Sequence, residues 1–239
     1  IRAGYPKGVF QNVFANHDAI EHILSHPFVK AVSLTGSEKA GAKVAAIAGG
    51  KIKKSLLELG GSNAFVVFAD ADLEKTIPLA VKARMMNTGQ SCIASKRFIV
   101  VAEVYDTFVQ GFVKETAALK SGDPLEESTQ VGPLARIDLA EKLQKQVEDS
   151  IAKGARLLHG GKRHNAYFEP TVLDNVHPGM PAFDEETFGP VAAITRAANA
   201  DEAIELAQQT HFGLGITVCT TDLEKAFQYV DRIKDGAFF

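Results

Sequence analysis

Two side chains, Cys92 and Glu58, carry the residue types and settings that suit covalent chemistry. Cys92 is one of two cysteines and lies in Arg84-Met-Met-Asn-Thr-Gly-Gln-Ser-Cys-Ile-Ala-Ser-Lys-Arg97. An amphipathic run over 73–87 breaks there at Thr88-Gly89-Gln90, and an apolar strand is predicted over 97–101. A thiol at a helix-break-strand junction has its backbone held on both sides, as a nucleophile requires. Read in isolation, a buried core cysteine is the commoner outcome. Glu58 is a lone carboxylate in Lys53-Lys-Ser-Leu-Leu-Glu-Leu-Gly-Gly61, an apolar strand ending in two glycines. Buried, its carboxyl would be pushed towards neutrality and suited to general-base work. On an edge strand it would simply face water.

A third feature could hold a ligand. The strand predicted over 29–35 runs through Gly36-Ser37 into an Ala-rich helix over 40–48. Such a turn aims backbone N–H groups and the positive helix end at a bound phosphate, with the Ser37 hydroxyl beside them. Plain N-capping by Ser37 is the alternative, and the three-glycine dinucleotide fingerprint is absent. His22 and His26 fall four apart on a short helix over 19–25 without a third ligand, so no metal site is expected. Glu186 and Phe188 sit in Phe183-Asp-Glu-Glu-Thr-Phe-Gly-Pro-Val191, a polar loop entering a strand. The carboxylate can accept from ligand hydroxyls and the ring can lie against an aromatic ligand.

The elements that must position these residues alternate. Strands are predicted over 9–14, 29–35, 53–59, 64–68, 97–101, 157–159, 170–176, 190–197 and 215–221. Helices are predicted over 19–25, 40–48, 73–87, 105–121, 137–154, 201–210 and 222–234, with Asp70-Ala-Asp72 capping the third. Alternation of this kind gives an α/β fold with a largely parallel sheet. The 239 residues suffice for one large or two ordinary domains. A net charge of −3 argues against nucleic acid or an anionic membrane as partner, and no apolar run reaches a membrane span. Two cysteines 127 positions apart suggest no disulfide framework, so a reducing, cytoplasmic setting is expected. The openings at Ile1 and Gly236-Ala-Phe-Phe239 read as cuts in a longer chain.

Four motifs occur in order: Thr35-Gly36-Ser37 with Gly41, Glu58-Leu59-Gly60-Gly61, Asn87-Thr-Gly-Gln-Ser-Cys92, and Glu185-Glu186-Thr-Phe188-Gly-Pro190. Together they resemble the aldehyde dehydrogenase superfamily over the whole chain. The texture between them is similar to bacterial succinate semialdehyde dehydrogenases. The resemblance implies a three-layer α/β catalytic domain over 61–239, incomplete at its C-terminal end. It also implies that 1–60 is the C-terminal part of a Rossmann-like NAD(P)-binding domain. By the same resemblance Cys92 attacks a small aldehyde, passing through a thiohemiacetal and a thioester, and Glu58 activates the hydrolytic water. The Cys92 N–H supplies an oxyanion donor. Gly36 and Ser37 approach the cofactor pyrophosphate, Leu59 and Gly60 the carboxamide, Glu186 the nicotinamide ribose, and Phe188 the nicotinamide ring. NAD or NADP is the implied cofactor, and the full-length form is expected to be a homodimer or homotetramer. Met86 stands where an Arg often grips the distal carboxylate of succinate semialdehyde, and Ser62 where Lys or Asn is common. Half a cofactor site implies that the 239-residue chain alone is nearly inactive. A truncated paralogue serving as a binding module and a CoA-acylating semialdehyde dehydrogenase are the alternative readings.

Overall fold

The structure is a computed structural model that describes residues 3–239, and the chain divides into two compact units, Ile1–Gly60 and Gly61–Phe239. In the first unit the stretch over 9–14, predicted as a strand, forms none and is exposed throughout. Its apolar residues fall in two pairs, Val9-Phe10 and Val13-Phe14, and do not alternate, so the stretch has no single face to bury against a neighbouring strand. Helix α1 (His17–Ser25) follows, capped by Asn16, whose side chain accepts from the Ala19 N–H. Strand β1 (Ala31–Thr35), helix α2 (Glu38–Gly50) and strand β2 (Lys54–Glu58) complete the unit, with β1 and β2 paired in parallel. Lys53 donates from Nζ to the carbonyls of Leu24 and His26, so the end of α1 is tied to the start of β2. Gly41 lies where α2 meets Leu59, and a Cβ there would stand 2.6 Å from Leu59 Cδ2. A methyl there would have to push the Leu59 side chain aside.

The second unit holds the main sheet. Strand β3 (Asn63–Val67) leads to helix α3 (Leu73–Met85), then strand β4 (Ser95–Val101) and helix α4 (Ala102–Ala117). Helix α5 (Ile137–Ala152) and strand β5 (Arg156–His159) precede a small hairpin of β6 (Arg163–His164) and β7 (Tyr167–Phe168). Strand β8 (Thr171–Asp174), helix α6 (Pro181–Asp184), strand β9 (Val191–Ala197), helix α7 (Ala200–Ala207), strand β10 (Ile216–Cys219) and helix α8 (Leu223–Phe227) complete it. The six strands run in the order β10-β3-β4-β9-β8-β5. All pair in parallel except β5, an antiparallel edge. The helix predicted over 222–234 is instead α8 and a separate 3-10 turn, Val230–Arg232. Residues 237–239 hydrogen-bond alongside β10.

Side-chain alternation sorts the two faces. Phe65, Val67, Phe98, Val100, Ala192 and Ile194 pack against α3 and α4 in one core. Ala64, Val66, Ile99 and Val101 point to the other face, where Ala203, Ile204 and Ala207 of α7 cover them. Helix α5 joins that face through Leu143 and Val147 against Leu173 and Ala193. This is a three-layer α/β arrangement. Burial on both faces explains why Ala64–Val67 and Phe98–Val101 are unbroken apolar runs within β3 and β4.

Candidate active site

Helix α3 ends at Met85, and the chain then takes three left-handed residues in succession, Asn87 (φ 55°), Thr88 (φ 57°) and Gly89 (φ 68°). Asn and Gly accept this conformation readily, but a β-branched Thr does so at a cost. The surroundings compel it. Thr88 Oγ1 accepts from the Gly132 N–H at 3.1 Å, Asn87 Nδ2 donates to the Gln90 carbonyl at 2.9 Å, and Gln90 Oε1 accepts from the Ala135 N–H at 2.8 Å. Gly89 has no room for a Cβ, being packed against the Gly189 carbonyl and the Arg84 guanidinium. Two of the sequence motifs therefore meet at a pair of glycines. Strain held by several independent bonds is typical of functional turns.

Cys92 follows in a tight turn closed by the Ala94 N–H donating to the Ser91 carbonyl at 3.3 Å. The thiol residue is half-buried. Side chains hold each carbonyl of the turn. Lys96 donates from Nζ to the carbonyls of Ser91 (3.0 Å), Cys92 (3.0 Å) and Ala94 (3.1 Å), and Asn63 Nδ2 donates to that of Ile93 at 3.2 Å. Gly61 lies against the turn, where a Cβ would stand 2.6 Å from the Cys92 carbonyl oxygen. Among the described residues the Cys92 N–H has no acceptor. It is free to donate to a ligand oxygen.

Three cations are buried behind this turn. Arg84 donates to the carbonyls of Ser95 and Gly89, and burial pulls it down to about 9. Arg97 donates to Ser62, Leu206 and Ala207 carbonyls and packs over the Phe183 ring, with burial pulling it down to about 10. Burial likewise pulls Lys96 down to about 7, with Arg84 adding to the shift and Glu186 and Cys92 opposing it. Ser62, unusual by comparison with the resemblance, is buried and accepts from Arg97 through its carbonyl and its hydroxyl.

Glu186 reaches the same region. Its Oε1 accepts from the Gly61 N–H at 3.0 Å and lies 3.8 Å from Lys96 Nζ. Gln146 donates to the Glu186 carbonyl and to Glu185, which fixes the loop backbone. Phe188 is half-buried. Cys92, Glu186 and Phe188 all lie in the second unit, where Glu186 reaches Gly61 and Lys96 beside the Cys92 turn. In the first unit Gly36 donates its N–H to the Glu58 carbonyl at 3.0 Å, linking the ends of β1 and β2. The Glu58 side chain is exposed, and Leu59 and Gly60 are half-buried. Ser37 caps α2, accepting from the Ala40 N–H at 3.3 Å. A groove of about 450 Å³ between α1 and α2 is lined by Ile20, Val44 and Ile47 with Ser37, Lys39 and Lys43. Asp18 and Glu21 line the same groove, so its two ammonium groups face two carboxylates.

The sequence marks Lys96, Arg84, Gln90 and Asn63 only faintly as positioning groups. Their only signal was placement: charged and amide side chains in otherwise apolar or motif stretches. Among the described residues no group of His, Cys, Asp or Glu could hold a metal, and no helix is long and apolar enough to cross a membrane.

The fold is a mostly parallel three-layer α/β sheet that carries a half-buried cysteine on a constrained turn, with the Glu186 carboxylate reaching the glycine and lysine that pack against that turn. The sequence profile of the aldehyde dehydrogenase family matches residues 1–239, and the chain belongs to that family. It is 48% identical to the succinate-semialdehyde dehydrogenase [NADP(+)] of Mycobacterium avium, covering 100% of this chain and 51% of that protein. It is also 48% identical to a succinate semialdehyde dehydrogenase [NAD(P)+] of Escherichia coli, covering 99% of this chain and 52% of that protein. Among solved structures, the succinic semialdehyde dehydrogenase of Streptococcus pyogenes in complex with NADP+ superposes with a TM-score of 0.95 at 34% identity, covering 100% of this chain and 53% of that one. The chain spans about half the length of the curated relatives it matches.

Proposed function

We propose that the protein of which this chain is a part oxidises a small aldehyde to its acid with NAD or NADP, succinate semialdehyde being the first substrate to test. The residues over 1–60 are the end of the cofactor domain and those over 61–239 the catalytic domain. The observation that carries the reading is the Cys92 turn, whose carbonyls are all bound behind it while the Cys92 N–H is left free. The Cys92 thiolate forms a sulfur–carbon bond to the aldehyde carbon, and the oxygen becomes an oxyanion received by that N–H. NAD(P)+, when bound, would supply the two-electron acceptor needed to take the adduct to a thioester. Glu58 then takes a proton from water as the water attacks the thioester carbon. The sulfur–carbon bond breaks, and the acid leaves with Cys92 restored as thiolate. Gly36, Ser37, Leu59 and Gly60 would line the cofactor path, Glu186 would accept from its ribose hydroxyls, and Phe188 would cover its ring.

Arg84 is fully buried and committed to backbone carbonyls, so it does not grip the far carboxylate of the substrate; Met86, 59% exposed, takes the position facing solvent. The relatives' names, rather than a seen carboxylate clamp, support succinate semialdehyde. A CoA-acylating enzyme would resolve the thioester with a thiol, and Glu58 favours water. Turnover of succinate semialdehyde with NADP+ by the natural full-length protein tests the reading. Cys92→Ala is expected to lower kcat about 10,000-fold or more, and Glu58→Gln on the order of 100- to 10,000-fold. A Cys92→Ala variant that keeps a tenth of the activity sinks the reading. Product that appears only with added CoA favours the acylating reading instead. The 239-residue chain alone is expected to turn over at least about 100-fold more slowly, one oxyanion donor being worth that much.

A further inference from the structure

Lys96 is a fully buried lysine whose ammonium faces the inner side of the nucleophile turn. A buried ammonium with three donors is costly unless all three are used. Here they are, on the carbonyls of Ser91, Cys92 and Ala94, at 3.0, 3.0 and 3.1 Å. The charged groups around it are Arg84 and Arg97, which repel it, and Glu186 and the Cys92 thiol, which favour its charged form. Glu186 Oε1 lies 3.8 Å away.

The geometry of the peptide bond gives this grip a consequence. In a planar trans peptide the C=O and the N–H of one unit point in opposite directions. The carbonyl of Ser91 and the N–H of Cys92 belong to one such unit. Pulling the Ser91 carbonyl towards Lys96 therefore turns the Cys92 N–H away from the buried ammonium. The grip on the Cys92 carbonyl does the same for the Ile93 N–H. A tight turn lacking these anchors can rotate its peptide units at little cost.

We propose that Lys96 is a positioning residue: by holding the carbonyls of Ser91 and Cys92 it fixes the peptide unit whose Cys92 N–H receives the oxyanion. This rests on the reading of Cys92 as the nucleophile. Lys96 touches no reacting atom. Its effect is confined to reactions in which an oxyanion develops, and that separates orientation of the turn from mere support of it.

The test compares two reactions of Cys92 in the natural full-length protein. Acylation by p-nitrophenyl acetate builds an oxyanion on the attacked carbon. Alkylation by iodoacetamide is a direct displacement and builds none. Lys96→Met, which keeps the length of the side chain and removes its donors, is expected to slow acylation about 100-fold while alkylation changes less than about threefold. Lys96→Arg, which restores donors and charge, is expected to recover acylation to within about tenfold of the parent. Undiminished acylation in Lys96→Met overturns the assignment. So does a parallel loss of both reactions in either variant, since that marks a structural role. If Lys96→Met does not fold by circular dichroism, Lys96→Arg decides on the same ratio of the two rates. The nucleophile reading fails separately, and takes the assignment with it, if Cys92→Ala acylates as fast as the parent.

Discussion

Single residues in this protein are chosen by what touches them. Gly61 is the clearest case, because an added methyl would stand 2.6 Å from the Cys92 carbonyl oxygen, a backbone atom with nowhere to go. Gly61→Ala is expected to displace the nucleophile turn, slowing Cys92 alkylation by iodoacetamide at least about tenfold. The cost in stability should stay near 1–3 kcal/mol by thermal unfolding. Cys219 supplies an internal control for such labelling, since burial pushes its thiol up to about 12. At pH 8 it holds almost no thiolate, so Cys92 is expected to be alkylated first, as peptide mapping would read. Asp70 makes a different kind of bond. Predicted alongside Asp72 to cap α3, it instead accepts from the Thr220 and Thr221 hydroxyls and from the backbone of Thr221 and Asp222, while Asp72 alone caps the helix. Desolvation pushes the Asp70 carboxyl up, but these bonds outweigh it and hold it well below the usual range. Its stabilisation is therefore complete above its ordinary pKa near 4 and fades as pH falls through its lowered folded value. Asp70→Asn should cost about 1 kcal/mol at pH 7, allowing for the screening of an exposed group. The deficit relative to the parent should shrink in acid, and a constant deficit down to pH 2 would contradict the account.

At the scale of elements, the site is made by junctions rather than by helices or strands themselves. The end of α3 is turned back by three left-handed residues, and β4 begins only three residues beyond Cys92. Strand β4 is locked from behind by Arg97, which joins it to the start of β3 at Ser62 and to the end of α7 at Leu206 and Ala207. A lysine has the charge but not the planar fork for these carbonyls. Arg97→Lys is expected to lower stability by about 3 kcal/mol in denaturant unfolding, more than a surface substitution of the same kind. A loss under 0.5 kcal/mol would show the fork to be dispensable. The boundaries of β3, α3 and β4 were legible in the sequence because apolar periodicity and Asp72 capping agree there. The stretch over 9–14 has the β-branched and aromatic residues of a strand but pairs them at 9/10 and 13/14 without alternation, and among the described residues no strand lies beside it. The helix over 222–234 was overextended because its charged, periodic pattern concealed the break after Phe227.

Across the whole molecule, the two units differ in how their sheets are protected. In the Gly61–Phe239 unit, β3 and β4 are buried on both faces, and β9 nearly so. In the Ile1–Gly60 unit, β1 and β2 form a two-stranded sheet with mostly exposed residues. Hydrogen exchange of the 239-residue chain is expected to be slowest in β3, β4 and β9 and orders of magnitude faster in β1 and β2. Equal protection in both sheets would mean that β1 and β2 gain cover that their own unit does not provide.

Residue types alone determined a good deal: an α/β fold from alternating periods, four ordered motifs, and Cys92 as a thiol at a break in regular structure. Those signals are local, set by periodicity, capping and turn residues within a few positions of one another. Only the tertiary structure decided that Lys96 and Arg84 turn inward, that Gly61 and Gly89 are glycines because backbone lies against them, and that Asp70 serves Thr220 and Thr221. The partners lie from 2 to 151 positions away, reached through a turn, a loop or across the sheet. Nothing in the spacing of a sequence states that distance, because packing sets it.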